Sequence, residues 1–267
     1  MLAPVRSKDK LRLSDGDAKA PKSVPRNDKL RAQLDDAVAE LGELQQLLYA
    51  DRRYAVLVVL QGRDAAGKDS TIKHVFDACN PLGCSVKPFK VPTEEELSHD
   101  YLWRVHKAIP ERGTIGIFNR SHYEDVLVVR VKELVPREVW AQRFDQINAF
   151  EKHLSQNNVI ILKFFLHISR EEQAERFRER LADPTKNWKF REGDLKDRAL
   201  WDDYTKAYRD ALQKCSTPWA PWYVVPANHK STRNLMITET INARLRALKL
   251  KYPRVSSEVL KLAEAIR

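Results

Sequence analysis

An apolar run from Ala55 to Leu60 leads straight into Gly62-Arg63-Asp64-Ala65-Ala66-Gly67-Lys68, and the stretch that follows has helical spacing. A buried strand ending in G-x4-G-K and restarting as a helix is the pattern of a phosphate-cradling P-loop. Its glycines let backbone N–H groups approach an anion, and its lysine reaches the outer phosphates. The helix start adds its own attraction for phosphate. G-x4-G-K alone can be a plain glycine turn, but its place between strand and helix favours phosphate binding. A chain with this feature near its first strand is committed to a fold in which strands and helices alternate.

The rest of the sequence alternates in that way. Leu30, Leu34, Val38, Leu41, Leu44 and Leu48 recur at helical spacing before the first strand. After the loop, a helix from Lys68 to Cys79 stops at Asn80-Pro81-Leu82-Gly83. Ser85 to Val91 reads as a strand compromised by Pro88, and Thr93 with Glu96 forms a capping box for a helix carrying Leu97, Tyr101, Leu102, Val105 and Ile109. Thr114 to Phe118 is a short buried strand, and Ser121 with Glu124 is read as the cap of a helix through Val131. Pro136 opens a helix to about Leu154, and Val159 to Ile168 is the longest strand. Ser169 with Glu172 caps a helix to Leu181, then come an irregular segment, a helix over Arg198 to Lys214, a strand over Trp222 to Val225 and a helix over Ser231 to Leu250. The expected fold is a three-layer α/β/α sandwich around a parallel sheet of about five strands, because parallel strands need helical crossovers. Ligands in such sheets gather at the carboxyl ends of the strands.

At 267 residues and 43% hydrophobic composition the chain suits one large domain. Residues 1–27, rich in Pro, Lys, Asp and Ser without a hydrophobic period, are expected as a mobile or surface-draped arm, and 28–267 as a single domain. No leader or membrane span is legible, and Cys79, Cys84 and Cys215 are too few for a disulfide framework or a zinc site, so a cytoplasmic protein is expected. The formal charge of +10 resembles a nucleic-acid signature until it is located. Residues 1–31 and 228–267 each carry nine Lys/Arg, against four and three Asp/Glu, and the middle is nearly balanced. Neither nucleic acid nor membrane is therefore expected as a partner.

The chemistry should lie in the loops after Leu60, Phe118 and Ile168. Lys68 is sited to neutralise charge on a transferred phosphoryl group, and Asp69 and Ser70 complete the expected phosphate loop. Many P-loops place Ser or Thr at position 69 and an aspartate after the second strand; here stand Asp69 and Asn119. Other carboxylates must then organise a metal, and Asp64, Glu124 and Asp125 are the candidates. An acid inside an anion-binding loop is electrostatically costly unless a metal or donor compensates it; otherwise Asp64 is a turn former. Glu124 and Asp125 have local alternatives, a capping box and a helix-dipole contact. Arg120 can clamp phosphate, or make a rim salt bridge. Glu172 and Glu175 can pair with Arg176 and Arg178 as ordinary surface ion pairs, but Arg180, four residues from Arg176, is a like-charged neighbour open to an anion. The segment from Leu181 to Arg191, with Lys186, Lys189, Arg191 and interleaved aromatics, reads as a lid over about 178–197, or as a solvated loop. His122 reads as structural.

Four ordered motifs resemble the polyphosphate kinase 2 family of P-loop kinases with a thymidylate-kinase-like fold. They are Gly62 to Asp69, Lys87-Pro88-Phe89-Lys90-Val91-Pro92-Thr93, Phe118-Asn119-Arg120-Ser121-His122-Tyr123-Glu124-Asp125-Val126-Leu127, and Lys186-Asn187-Trp188-Lys189-Phe190 leading into Trp201-Asp202-Asp203-Tyr204. The resemblance spans roughly Asp28 to Tyr252. It implies transfer of a terminal phosphoryl group between inorganic polyphosphate and a nucleotide, with Mg²⁺ and with Mn²⁺ able to substitute. It implies catalytic roles for Asp64, Lys68, Asn119, Arg120, Arg178 and Arg180. Phosphate contacts are implied from Gly62, Arg63, Ala65, Ala66, Gly67, Asp69, Ser70, Lys186, Lys189 and Arg191, and nucleotide contacts from Lys87, Phe89, Lys90 and Arg104. Many members have Asp where this chain has Asn119, followed by Arg-Ser-Trp-Tyr; the Arg-Ser-His-Tyr version looks like the subclass, usually called class III, that accepts AMP and ADP. Adenine nucleotides are expected, with guanine left open, and a homo-oligomer, dimer or tetramer. The rival readings are an ATP-dependent nucleoside monophosphate kinase and a non-catalytic polyanion or RNA binder.

Overall fold

The computed structural model describes residues 2–6, 11–262 and 266. Residues 1 and 7–10 of the expected arm, and 263–265 and 267 of the expected domain, lie outside the described residues.

Five strands form one parallel sheet in the order β2-β3-β1-β4-β5: β1 (Ala55–Gly62), β2 (Cys84–Pro88), β3 (Ile115–Asn119), β4 (Val159–His167) and β5 (Trp222–Pro226). β1 is buried along its whole length, and its alternate residues serve two cores. Leu57 and Val59 pack on one face with Phe144 and Ile147 of α6 (Arg137–Gln156) and Tyr208 and Leu212 of α9 (Trp201–Lys214). Val56, Val58 and Leu60 pack on the other with Leu41 and Leu48 of α1 (Asn27–Asp51) and Ile237 and Ile241 of α10 (Lys230–Ala247). A central strand apolar on both faces needs helices on both, which is the three-layer sandwich.

Several local expectations change. The helix read after Thr93 is two short ones, α3 (Glu94–Leu97) and α4 (Trp103–His106), although the Thr93–Glu96 capping box forms. Asp100 breaks the run, its carboxylate accepting from the Leu102 N–H as turn-forming acids do. The helix read after Ser121 is a 3₁₀ turn, His122–Val126, followed by α5 (Val128–Val131), and Ser121 Oγ accepts from Tyr123 N, so the Ser121–Glu124 capping box is absent. α7 (Arg170–Ala182) ends near the expected place, but the segment after it contains α8 (Glu192–Ala199). The described residues of the N-terminal arm lie against the domain. Val5 N donates to Trp222 O at 2.8 Å, His167 Nε2 reaches Ser14 O at 2.8 Å, and Asn228 N donates to Ala18 O at 3.1 Å. Pairing with Trp222 covers the β5 edge of the sheet, an edge that would otherwise offer unpaired amides.

β1 lies between β3 and β4, where strand order reverses, so the loops after these three strands meet at one crevice.

Candidate active site

The loop between β1 and α2 (Lys68–Val75) needs backbone freedom that its sequence supplies. Gly67 has φ 99°, and a Cβ there would stand 2.1 Å from Arg233 Nη1. Ala65 also has positive φ, as does Arg120 directly after β3; both are held in a conformation that a side chain disfavours. Two buried arginines fix the loop from behind. Arg176 Nη1 donates to Ala65 O and Ala66 O at 2.9 and 3.3 Å, and its Nη2 to Ala227 O and Asn228 O at 2.7 and 2.8 Å. Arg233 Nη1 donates to Ala66 O at 3.1 Å, and Nη2 to Ser70 Oγ at 3.4 Å. With its carbonyls held inward, the loop presents the amides at the start of α2, which have no intrahelical partner, to an incoming anion. Neither backbone role was legible in sequence: Arg176 read as an ion-pair partner of Glu172 or Glu175, of which the Glu172 pair forms at 2.8 Å, and Arg233 as part of a basic end.

Lys68 Nζ donates to Gly62 O at 2.7 Å and Arg63 O at 3.3 Å, folded back on its own loop. Burial, with the repulsion of Arg120, pulls its ammonium down to about 8, partly offset by Asp64, Glu124 and Asp69. Arg63 departs from expectation. Its side chain is buried, stacks over Trp201 at 4.0 Å and donates to Trp201 O at 3.1 Å and Thr205 Oγ1 at 2.5 Å, so only its backbone belongs to the phosphate loop. Burial lowers its guanidinium to about 10.

Asp64 and Glu124 converge on one cation. Arg120 Nη2 lies 2.9 Å from Asp64 Oδ1, and Nη1 lies 3.1 Å from Glu124 Oε2. Glu124 first, and Asp64 after it, hold Arg120 protonated against its burial. Freed of capping duty, Glu124 points to the loop instead. Two carboxylate oxygens facing one positive centre are the donor set a hard divalent cation takes, with phosphate oxygens and water filling the remaining positions, so Asp64 and Glu124 fit such an ion. Among the described residues no group of three or more His, Cys, Asp or Glu is arranged to hold a metal. Asp125 does not join them: Arg143 Nη1 holds its carboxylate at 3.0 Å away from Asp64 and Glu124, and burial raises its pKa despite Arg143. Asp69 and Asn119 meet directly, Asn119 Nδ2 donating to Asp69 Oδ1 at 2.8 Å.

In the segment read as a lid, Lys189 Nζ stands 3.8 Å from Asp69 Oδ2, which brings the short turn Asn187–Lys189 to the start of α2. Lys186 is paired with Asp183, Arg191 N donates to Asp194 Oδ2 at the start of α8, and Lys186, Lys189 and Arg191 are all exposed. Arg180 reaches toward Asp194 at 3.9 Å and Arg178 is exposed. On the β2 side, an open cleft of about 730 Å³ is lined by Lys87, Thr93, Glu96, Trp103, Arg104 and Lys107, among others. Lys87 and Lys90 are exposed near it, but Phe89, 3% exposed, packs edge-on against Phe118 at 4.8 Å in the core and is not available to a nucleotide. Arg104 is spent on Glu96 at 3.2 Å and Lys90 O at 3.0 Å.

Behind the site lies a buried ionic cluster that sequence reading missed. Lys163 Nζ of β4 contacts Glu151 Oε2 at 2.5 Å, Tyr123 OH at 2.7 Å and Cys215 O at 2.7 Å, while His122 Nε2 meets Glu151 Oε1 at 3.2 Å. Burial raises Glu151, but Lys163 and His122 more than reverse it and keep the carboxylate ionised. The cluster anchors the turn that carries Arg120 and Glu124. The structural reading of His122 therefore agrees with its place.

A central β1, a phosphate loop with its lysine and a strand-end arginine at the reversal of strand order define a P-loop kinase. The polyphosphate kinase 2 (PPK2) family pattern matches residues 25–253, and the chain belongs to that family. It is 55% identical over 214 residues, 80% of each chain, to an AMP/ADP-polyphosphate phosphotransferase of Meiothermus ruber. It is 46% identical over 231 residues, 82% of this chain and 80% of the other, to an ADP-polyphosphate phosphotransferase of Rhodopseudomonas palustris. Its fold matches the crystal structure of polyphosphate kinase 2 from Arthrobacter aurescens with a TM-score of 0.86 and 40% identity, over 92% of this chain and 91% of that one. Among the described residues no helix is long and apolar enough to cross a membrane.

Proposed function

We propose that this chain transfers the terminal phosphoryl group of inorganic polyphosphate to AMP and ADP, and runs the reverse reaction. The observation that carries the reading is the facing arrangement of Lys68, Arg120 and Lys189 around the mouth of a phosphate loop, with the Asp64–Glu124 pair beside it. An acceptor phosphate oxygen forms a new bond to the terminal phosphorus, the bridging P–O bond breaks, and the polyphosphate leaves one unit shorter. Phosphoryl transfer asks for positioning and charge neutralisation rather than covalent chemistry by the protein. Lys68 exchanges its contacts with Gly62 O and Arg63 O for phosphate oxygens, Arg120 steadies the transferring group, and Lys186, Lys189 and Arg191 guide the polyphosphate chain while the lid excludes water. Asp64 and Glu124 would hold Mg²⁺, with Mn²⁺ able to replace it; when bound, the ion supplies charge neutralisation between the two phosphate chains.

The names of the two relatives, one for AMP/ADP and one for ADP, support adenine acceptors, and the Arg-Ser-His-Tyr sequence places both within reach. A cytoplasmic location is supported by three free thiols, and a homo-oligomer by the exposed Val86 on the open β2 edge. The test offers purified protein, Mg²⁺ and long-chain polyphosphate to AMP, ADP, GMP and GDP separately, with products separated by chromatography. ADP from AMP and ATP from ADP are expected; phosphorylation from ATP with no response to polyphosphate would overturn the proposal.

A further inference from the structure

Two neighbouring residues of the phosphate loop reach out of it and hold the two sides of one joint. α8 and α9 meet at the single residue Leu200. On the α9 side, Arg63 stacks at 4.0 Å on Trp201, the first residue of that helix, and its Nη2 donates to Trp201 O and to Thr205 Oγ1 one turn on. On the α8 side, Arg198 Nη1 donates to Gln173 Oε1 at 2.8 Å, and Gln173 Nε2 donates to Asp64 O at 3.0 Å. Asp64 follows Arg63 in the chain, so the circuit is closed.

Arg63 is a destabilising residue for this place. It is 7% exposed, its Nε and Nη1 meet no acceptor, and its hydrogen bonds go to a carbonyl and a hydroxyl rather than to a carboxylate. An apolar side chain of similar size would fill the space without burying a charge. It would leave no orphan either, because Trp201 O also accepts from Thr205 Oγ1 at 2.8 Å. What Arg63 lacks is a counter-charge, and a phosphate bound in the loop brings one. Lys68 Nζ, which holds Arg63 O at 3.3 Å, lets go of it in the same step.

We propose that Arg63 is a positioning residue for phosphoryl transfer, which through Trp201 sets the joint between α8 and α9 according to whether the phosphate loop is filled. The inference rests on the proposed function, in which Lys68 moves to phosphate and the segment 183–200 shields the transfer from water. An anion in the loop strengthens the hold of Arg63 on the start of α9, and Gln173 with Arg198 keeps α8 beside Asp64. Arg63 touches no reacting atom; it acts through the joint.

The test is tryptic cleavage at the exposed Lys186, Lys189, Arg191 and Lys196, read by mass spectrometry with and without tripolyphosphate, in wild type and Arg63→Met. Tripolyphosphate should slow cleavage at least about fivefold in wild type and less than about twofold in Arg63→Met, although calorimetry finds its affinity within about threefold in the two proteins. With AMP, Mg²⁺ and polyphosphate, Arg63→Met should lose about tenfold in kcat while the KM for AMP holds. The unfolding midpoint of the ligand-free variant should hold or rise, where a plain structural residue would lower it. Arg63→Lys keeps the charge but not the planar stack, and should recover little of the protection. Equal protection in wild type and Arg63→Met, an unchanged kcat, a lost affinity or a lowered midpoint overturns the inference and leaves the proposed function standing. A wild-type sample that binds tripolyphosphate but forms no ADP from AMP and polyphosphate sinks the proposed function instead.

Discussion

The phosphate loop is flanked by two sets of cations that look alike in sequence and differ in every physical respect. Behind it, Arg176 and Arg233 are buried: Arg176 donates to four backbone carbonyls and to Glu172, and Arg233 to Ala66 O and to the side chains of Asn234 and Ser70. In front, Lys186, Lys189 and Arg191 are exposed, Lys186 paired with Asp183 and Lys189 3.8 Å from Asp69. The rear pair shapes the backbone; in the proposed function the front set meets the polyanion. Planar, five-donor arginine suits the first task, and flexible lysine heads suit the second. Burial, not charge, separates scaffold from ligand site.

The largest effect should come from the rear. Arg176→Ala takes the donor from Ala65 O, Ala227 O and Asn228 O, while Ala66 O keeps Arg233; each carbonyl left buried and unpaired costs about 1–3 kcal/mol. Thermal unfolding should shift down by roughly 6–12 °C for a loss of about 3 kcal/mol, and Arg176→Lys should recover little of it. An unchanged midpoint would break the distinction between the two sets. Lys68→Met sharpens it from the middle, because Lys68 is buried yet faces the ligand. Turnover should fall about 10²–10³-fold, while the melting temperature of the ligand-free protein holds or rises. Replacing Lys186, Lys189 and Arg191 together with Ala should raise the KM for polyphosphate about tenfold and flatten its salt dependence, with no change in unfolding; kinetics that stay put would remove the lid cations from binding.

The smallest effect is a pH dependence. Lys68 titrates near 8 in the folded protein against an ordinary 10.5, so between these values the unfolded chain binds more protons than the folded one. Stability of the ligand-free protein from this group therefore rises as pH climbs from about 8 to 10.5. Phosphate affinity moves the other way, since a neutral Lys68 attracts no anion. Measured across pH 7 to 10, KM for polyphosphate should climb above about 8, and Lys68→Arg should carry that rise to higher pH.

How legible the molecule was depends on the range of the interaction. β1, β4, α1 and α6 announce themselves through long apolar periods, and each falls within a few residues of its expected bounds. The helix after Thr93 and the turn after Ser121 do not, because Asp100 and the Ser121 hydroxyl bond their own backbone and end the helical run locally. Lys68, Asp64, Arg120 and Glu124 were legible as a set from the strand-end rule, and the structure brings them together. Arg63, Phe89, Arg104 and Asp125 carried the same kind of promise and turn away: Arg63 to Trp201, Phe89 to Phe118, Arg104 to Glu96, Asp125 to Arg143. Lys163 and Glu151, two charges buried together beneath the site, have no sequence signature at all; removing either one should cost about 3–5 kcal/mol.

What the chain of residues determined alone was the order of strands and helices and the presence of a phosphate loop, since both follow from neighbours a few positions apart: apolar period, glycine freedom and the helix start. The tertiary structure decided which charges face the ligand. A guanidinium or carboxylate takes its role from the partner and the dielectric it meets, and those partners, from Arg176 with Ala65 to Asp69 with Asn119, come from parts of the chain that only folding brings within 3 Å.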